Sequence, residues 1–597
     1  MKYYAKIKTI MDKGNIKKGR VFSLKTYINR FRLYVFLGPF FKAIEAATEI
    51  FIPFLMAMII DNFIPSGNIT NIYIWTGVII ALNVIGIITA VLGQKYAAIT
   101  TESIGRDIRK DIFTHVNSFS HSELDKFSTA SILNRTIFDV YHIQEGISLF
   151  LRNALRAPFI LIGSIVMAII IDVKLSLIFV IVIPILMIVV MFIFKKLVPL
   201  LSESKIRVDK TSALTRENLA GQRVVRAFNK QNYEVERFDK TNTDLLEINI
   251  EEGKVSAALI PIVYMIVNLS IIALIYFGGF QINLGNGLTQ GNLIAFINYF
   301  NQVSTNLIFV ARLITMFTRV KTSSDRINDL MSLKNSITDP KRPINIDKKT
   351  INGKVEFIDV SFSYNGIKNV VENLSFTANP GEVIGIIGGT GSGKSSVVNL
   401  IPRFYDATRG KVLVDDEPVF KYRVSDLRNK IGIVMQNPIL FAGTIRSNMT
   451  WAKPNASDEE IIRALKIAQA YEFVSTYPEV LSHHVSRGGT NFSGGQRQRL
   501  TIARALVGDP KILILDDSSS ALDFATDAKL RNAIKKNLKA TIFIVSQRTN
   551  ALKNADKIIV LEAGKVVGMG RHKELIENCE IYREIHLSQQ QGGENHV

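Results

Sequence analysis

One cysteine, Cys579, stands in 597 residues. A lone thiol excludes an intrachain disulfide framework and any all-cysteine metal cluster. The opening MKYYAKIKTIMDKGNIKKGR is basic but has no apolar core of roughly 7–15 residues before a small-residue cleavage site, so no cleaved signal peptide is expected. Charge is absent over long stretches: Val255 to Ala311 is 57 residues without Asp, Glu, Lys, Arg or His, and Ile72 to Leu92 is 21 residues without a charge. No internal repeat is visible, and QQQGG near the end is the one low-complexity tract. The net charge of +20 is not gathered into a single basic patch, which argues against nucleic acid as a partner.

What is present divides the chain in two. A length of 597 residues exceeds one domain. A mean hydropathy of +0.20 with 47% hydrophobic residues points to a membrane half. Apolar runs crowd the first 330 residues and are nearly missing afterwards. Each is long enough to cross a hydrocarbon core of about 30 Å as a helix. Six spans are expected, at roughly 34–62, 72–94, 152–172, 174–196, 255–279 and 291–317. GGFQINLGNGLTQGN, Gly278 to Asn292, is the natural turn between the last two.

Loop charge sets orientation. The segment up to Arg32 carries ten Lys and Arg, and the segments 93–153 and 195–256 carry seven and twelve, whereas the intervening connections contain one basic residue, Lys174. By the positive-inside rule the basic segments are cytoplasmic, as is everything after the sixth span. The two long segments have helical apolar spacing, as in Ile206 to Phe238, and read as helices that continue out of the membrane and turn back. The expected organisation is a transmembrane domain at 1–335, a polar linker at 336–352, a second domain at 353–590 and a polar tail at 591–597.

Chemistry concentrates in the second domain. GGTGSGKS follows the apolar strand EVIGII and precedes a helix-like SVVNLIPRF, the context a phosphate-binding loop requires. Gly388, Gly389, Thr390, Gly391, Ser392 and Gly393 would wrap phosphates with backbone N–H groups, continuing through Ser396. Lys394 would reach the β/γ-phosphates and Ser395 would ligate Mg²⁺. ILILDDSSSALD reads as a buried strand ending in Asp516, a Mg²⁺ carboxylate, followed by Asp517. NFSGGQRQRLTIARAL opens a helix with a serine and two glycines, an anion-binding N-terminus.

With these motifs the chain resembles the ATP-binding cassette family over essentially its whole length, and most closely the exporters that fuse six spans to one cassette. The resemblance implies an α-helical membrane domain with long cytoplasmic extensions plus an α/β P-loop NTPase domain, with ATP and Mg²⁺ as cofactors. It implies that Tyr364 stacks on adenine, that Gln436 senses Mg²⁺ and γ-phosphate, that Ser493, Gly494, Gly495 and Gln496 form the signature, and that Asp523 lies in the loop crossing a cassette dimer. Segments near 120–135 and 212–225 would couple to cassettes. Three departures stand out: Phe492 replaces a usual Leu, Asp517 the catalytic Glu, and Gln547 the switch histidine. Asp517 retracts its carboxylate by one methylene, and a misplacement of about 1 Å can cost on the order of 100-fold in rate. Gln547 can hydrogen-bond a γ-phosphate but cannot carry positive charge.

The chain therefore resembles the degenerate subunit of a heterodimeric multidrug exporter in a plasma membrane, binding ATP and lending its signature to a partner's hydrolytic site. Its expected partners are a homologous half-transporter, the lipid bilayer and a small amphipathic substrate. Rivals are an exporter of a defined lipid or peptide, and an ATP-gated channel or sensor. Within the first span, Glu45 and Glu49 share a helix face with Lys42 one turn before. Glu49 reads either as a substrate-binding carboxylate for cationic amphiphiles or as a group hydrogen-bonded between helices; Lys42–Glu45 reads as an interfacial pair. Asp61, at the outer end of the first span, reads either as a helix-boundary acid or as part of an outer gate.

Overall fold

The computed structural model describes residues 22–154, 156–285, 287–344, 351–518 and 521–594. The first 21 residues, the middle of the expected linker and the last three residues of the expected tail lie outside that set. The chain forms two compact units, one from residues 1–117 and 129–333, the other from 118–128 and 334–597.

The first unit is helical. Its long apolar runs lie in Arg32–Met58, Ile69–Asn117, Arg156–Ile171, Val173–Ala227, Gln231–Asn283 and Gln290–Met331. At 1.5 Å per residue the 55-residue helix Val173–Ala227 is about 80 Å long, more than twice a hydrocarbon core, so much of it projects beyond the apolar layer. Asp172 starts this helix by accepting the Leu175 N–H (2.7 Å), which converts Asp172–Lys174 into a tight turn between two apolar runs. Inside the bundle, Phe179 packs edge-on against Phe300, and the Tyr299 hydroxyl donates to the Ile50 carbonyl at 2.8 Å.

Among the described residues, five helical stretches are long and apolar enough to cross a membrane: Arg32–Phe63, Ile69–Asn117, Thr129–Ile171, Val173–Ala227 and Gln231–Asn283. The sixth expected span falls in helix Gln290–Met331, which is long but not among them.

The second unit holds two main sheets and a short antiparallel pair of β7 (Gly443–Thr444) with β8 (His484–Val485). β1 (Val355–Phe362), β2 (Val371–Ala378), β4 (Arg409–Val414) and β5 (Glu417–Pro418) form an antiparallel sheet in the order β2-β1-β4-β5. β3 (Val383–Gly388), β6 (Ile431–Val434), β9 (Ile512–Asp516), β10 (Thr541–Val545), β11 (Lys557–Glu562) and β12 (Lys565–Gly570) form the second, in the order β12-β11-β3-β10-β9-β6. All its pairings are parallel except that of β12. β3, β9 and β10 are buried at every position, which is why their sequences are continuous apolar runs rather than alternating ones. The carboxyl ends of these three parallel neighbours lie together at one edge of the sheet, where α/β folds place their ligands in a crevice.

The expected coupling segment divides. Residues 118–128 belong to the cassette unit, where the His121 ring stacks on Phe404 at 4.2 Å and Asp125 accepts from the Tyr405 hydroxyl at 2.7 Å. The final helix, Glu580–Glu594, continues through residues 591–594, so the chain past 590 begins as helix rather than as a separate tail.

Candidate functional site

The crevice begins where β3 ends. A side chain at Gly388 would place its Cβ 2.1 Å from the Leu561 carbonyl oxygen, and Gly393 adopts φ +95° with its would-be Cβ 2.6 Å from the Val370 oxygen. These two positions require glycine, and they let the loop turn tightly into helix Lys394–Leu400. Gly389, Thr390 and Gly391 form the exposed crest. Lys394 is buried, and its ammonium donates to the carbonyl oxygens of Gly388 (3.0 Å) and Gly389 (2.7 Å). Burial pushes the Lys394 pKa down, against the opposing charges of Asp517 and Asp516. The Ser392 hydroxyl oxygen is buried with no hydrogen-bond partner among the described residues. A cation held by peptide dipoles, beside an orphaned hydroxyl, fits an incoming phosphate.

Asp516 closes β9, and its carboxylate accepts from the Ser395 hydroxyl at 3.0 Å. Burial raises the Asp516 pKa, with the Ser395 bond and Lys394 opposing and the charge of Asp517 adding to the rise. Asp517 sits in the left-handed region at φ +45°, and its N–H donates to the Val545 carbonyl (3.0 Å), which ties it to the end of β10. Gln436 donates to the Asp517 carboxylate at 3.4 Å. Ser395 and Asp516 thus meet directly, while Gln436 faces Asp517. Hydroxyl, amide and carboxylate oxygens are the hard donors Mg²⁺ accepts alongside phosphate. Gln547 follows β10 on the exposed loop, and its side chain makes no hydrogen bond among the described residues.

Tyr364 is half-exposed beside the loop. Its hydroxyl bonds Ser396 (2.9 Å), and Phe362 and Tyr405 meet its ring edge-to-face. The helix Gly494–Val507 starts with a reciprocal cap: Ser493 Oγ accepts the Gln496 N–H, and the Gln496 side chain accepts the Ser493 N–H at 2.9 Å. This leaves the Gly494 and Gly495 N–H groups at an exposed helix start. A Cβ on Gly494 would meet nothing within 4 Å. Asp523 caps helix Phe524–Asn537 through the Thr526 N–H (2.8 Å). Phe492 is buried between Tyr477, His483 and Phe473, an aromatic pocket that accommodates the larger ring.

In the first unit the acidic pair is matched by cations. Lys42 donates to Glu45 at 2.5 Å. Arg156, at the start of helix Arg156–Ile171, donates to both Glu49 oxygens (2.6 and 2.7 Å) and lies 3.4 Å from Glu45. Glu49 and Arg156 border a cavity of about 400 Å³ with Asn298, Asn301, Gln302 and Asn306. Sequence reasoning missed Arg156; its signal was a single basic residue at the head of an apolar run. Asp61 accepts from Thr289 and from the Gly291 N–H (2.7 Å), a helix-boundary role. Gln589 was also missed, and polar residues at the end of a chain give no signal for its contacts.

Residues 35–307 match the ABC transporter transmembrane region, and residues 371–520 match the ABC transporter family model. The ABC transporter ATP-binding protein YfiB of Bacillus subtilis is 37% identical over 547 residues, 91% of this chain and 94% of that protein. YgaD of the same organism, named as a candidate multidrug export ATP-binding/permease protein, is 30% identical, covering 94% of this chain and 97% of its own length. A solved bacterial Atm1-family ABC exporter with ATP bound shares the fold, with a TM-score of 0.77, 22% identity, and coverage of 95% of this chain and 98% of that one. A complete phosphate crevice joined to a helical membrane unit, with relatives at this identity and coverage, makes this chain a member of the ABC transporter family, an ATP-binding, multi-pass membrane transporter.

Proposed function

We propose that the chain is one subunit of a heterodimeric, ATP-driven exporter of hydrophobic or amphipathic compounds in the plasma membrane. On this reading six spans at 1–335 leave the N-terminus and the cassette, 353–590, on the cytoplasmic side. The observation that carries the proposal is the contrast within one crevice. Lys394, Ser392, Ser395 and Asp516 are arranged for a Mg²⁺-bound triphosphate, while Asp517 and Gln547 stand where hydrolysis needs Glu and His. In the bound state Ser395 and Asp516, with Gln436, would hold Mg²⁺, which would neutralise phosphate charge. Ser493, Gly494 and Gly495 would complete the partner's hydrolytic site, where a helix N-terminus stabilises charge developing on the γ-phosphate.

The cavity by Glu49 and Arg156 supports an amphipathic cargo, because its ion pair balances its own charge and its amides offer hydrogen bonds. YgaD's name supports export of drugs. The test is purification and co-expression. The chain alone should bind MgATP yet hydrolyse it slowly, and co-expression should give a stable 1:1 complex with a related chain that has Glu and His. Rapid turnover by a homodimer would refute the proposal. Reconstituted vesicles that conduct ions without moving amphiphiles would favour the channel reading.

A further inference from the structure

The residues after β10 leave the sheet as loop: Ser546, Gln547 and Arg548 belong to no strand or helix. Backbone groups in such a stretch need partners from elsewhere. The Ser546 N–H donates to the Ile386 carbonyl (3.1 Å) and the Arg548 N–H to the Ser546 hydroxyl (3.0 Å), while the helix Glu580–Glu594 supplies partners for the Gln547 carbonyl and the Thr549 N–H. Gln589 spends both ends of its amide on this loop. Its Nε2 donates to the Gln547 carbonyl oxygen at 2.7 Å, and its Oε1 accepts the Thr549 N–H at 2.9 Å and the Thr549 hydroxyl at 3.1 Å. The Thr549 hydroxyl also meets His586 Nδ1 at 2.9 Å. One turn earlier the same helix is anchored by Tyr582, whose hydroxyl pairs with His572 Nδ1 at 2.7 Å in a buried contact. The helix is therefore docked by buried groups and presents Gln589 from a fixed position.

We propose that Gln589 is a positioning residue for Gln547: it fixes the peptide flanking Gln547, so that the Gln547 side chain is presented to the γ-phosphate of ATP. This rests on the reading of Gln547 as a γ-phosphate contact. Among the described residues the Gln547 side chain has no hydrogen-bond partner to hold it, so its aim depends on its backbone. An amide bonded at both ends suits this task better than a charged side chain, because a carboxylate would repel the Gln547 carbonyl. The C-terminal helix is in this sense part of the ATP site, 42 residues downstream of the loop it holds.

The test uses the full-length chain in nanodiscs and reads equilibrium affinities for MgATP and MgADP. Gln547→Ala is expected to lower the ATP-over-ADP preference by about tenfold, the scale of one hydrogen bond to a charged group, with ADP affinity unchanged. Gln589→Ala should lower it severalfold, again through ATP alone. Gln589→Glu, which keeps an acceptor for Thr549 but loses the donor to Gln547, should show a similar loss without removing the side chain. The double variant Gln547→Ala/Gln589→Ala should fall no further than Gln547→Ala, because both act on one contact. If Gln547→Ala lowers the preference and the Gln589 variants do not, or if they weaken ATP and ADP equally, the positioning role is overturned. If Gln547→Ala itself leaves the preference unchanged, the underlying reading of Gln547 falls, and the inference falls with it.

Discussion

Two charged clusters, one in each unit, are built on opposite terms. In the membrane unit Lys42, Glu45, Glu49 and Arg156 neutralise one another through direct ion pairs. In the cassette Lys394 is held by two peptide oxygens, with an orphaned Ser392 hydroxyl nearby. The first cluster is complete without any ligand. The second is complete only with an anion. A cation bonded directly to its counter-charge is structural first, whereas Lys394 spends its hydrogen bonds on neutral dipoles and meets Asp516 and Asp517 only through space, which leaves its ammonium for an anion that arrives.

The contrast breaks most sharply at Lys394. Replacement by Ala should weaken MgATP binding by the chain on the order of 100-fold, since charge-assisted bonds to phosphate are lost. Equilibrium nucleotide binding reads this. An unchanged affinity would mean that the lysine is satisfied by Gly388 and Gly389 alone.

Arg156→Gln comes next. Removing one member of a buried ion pair costs about 3–5 kcal/mol, and less here because Glu49 stays partly exposed, so roughly 2 kcal/mol is expected. Thermal unfolding should show the loss, and Glu49→Gln added to Arg156→Gln should recover part of it. Full independence of the two changes would dissolve the cluster as a unit.

Glu49→Gln alone should be milder and more selective. It leaves Arg156 in charge excess at the cavity, so export of cationic amphiphiles should fall severalfold more than export of neutral ones, in vesicles containing the complex. Basal ATPase should change little. Equal losses for both substrate types would give Glu49 a purely structural role.

The smallest effect is on pH. Burial raises the Asp516 pKa. A carboxyl with a raised folded-state pKa is ionised at neutral pH against its surroundings, so acidification stabilises the nucleotide-free cassette while removing the carboxylate that Mg²⁺ needs. MgATP affinity should therefore fall on the acid side at a higher pH than an ordinary aspartate would give, and Asp516→Asn should flatten that dependence. A parent profile that matches Asp516→Asn would contradict the assignment.

Much of this was legible in sequence because it is local. The phosphate loop lies within a few residues of its strand and helix, and the buried strand ending in Asp516 is a continuous apolar run. What escaped was long-range. Arg156 meets Glu49 across 107 residues, Gly291 meets Asp61 across 230, and Gln589 meets Gln547 across 42. No periodicity encodes such meetings. The uncharged run that marks the sixth expected span falls in helix Gln290–Met331, outside the five stretches found among the described residues. The tolerance of Phe492 became physical only once Tyr477, His483 and Phe473 were seen around it.

The proposal that this chain's own ATP site is degenerate is tested most directly by steady-state ATPase of the proposed heterodimer carrying Gly494→Trp or Asp517→Asn. A side chain at Gly494 enters open space in this chain, so loss there reports on the partner's nucleotide site rather than on folding. Gly494→Trp should nearly abolish turnover, and Asp517→Asn should leave most of it intact. If Asp517→Asn is as damaging as Gly494→Trp, Asp517 is a working catalytic base and the site is not degenerate.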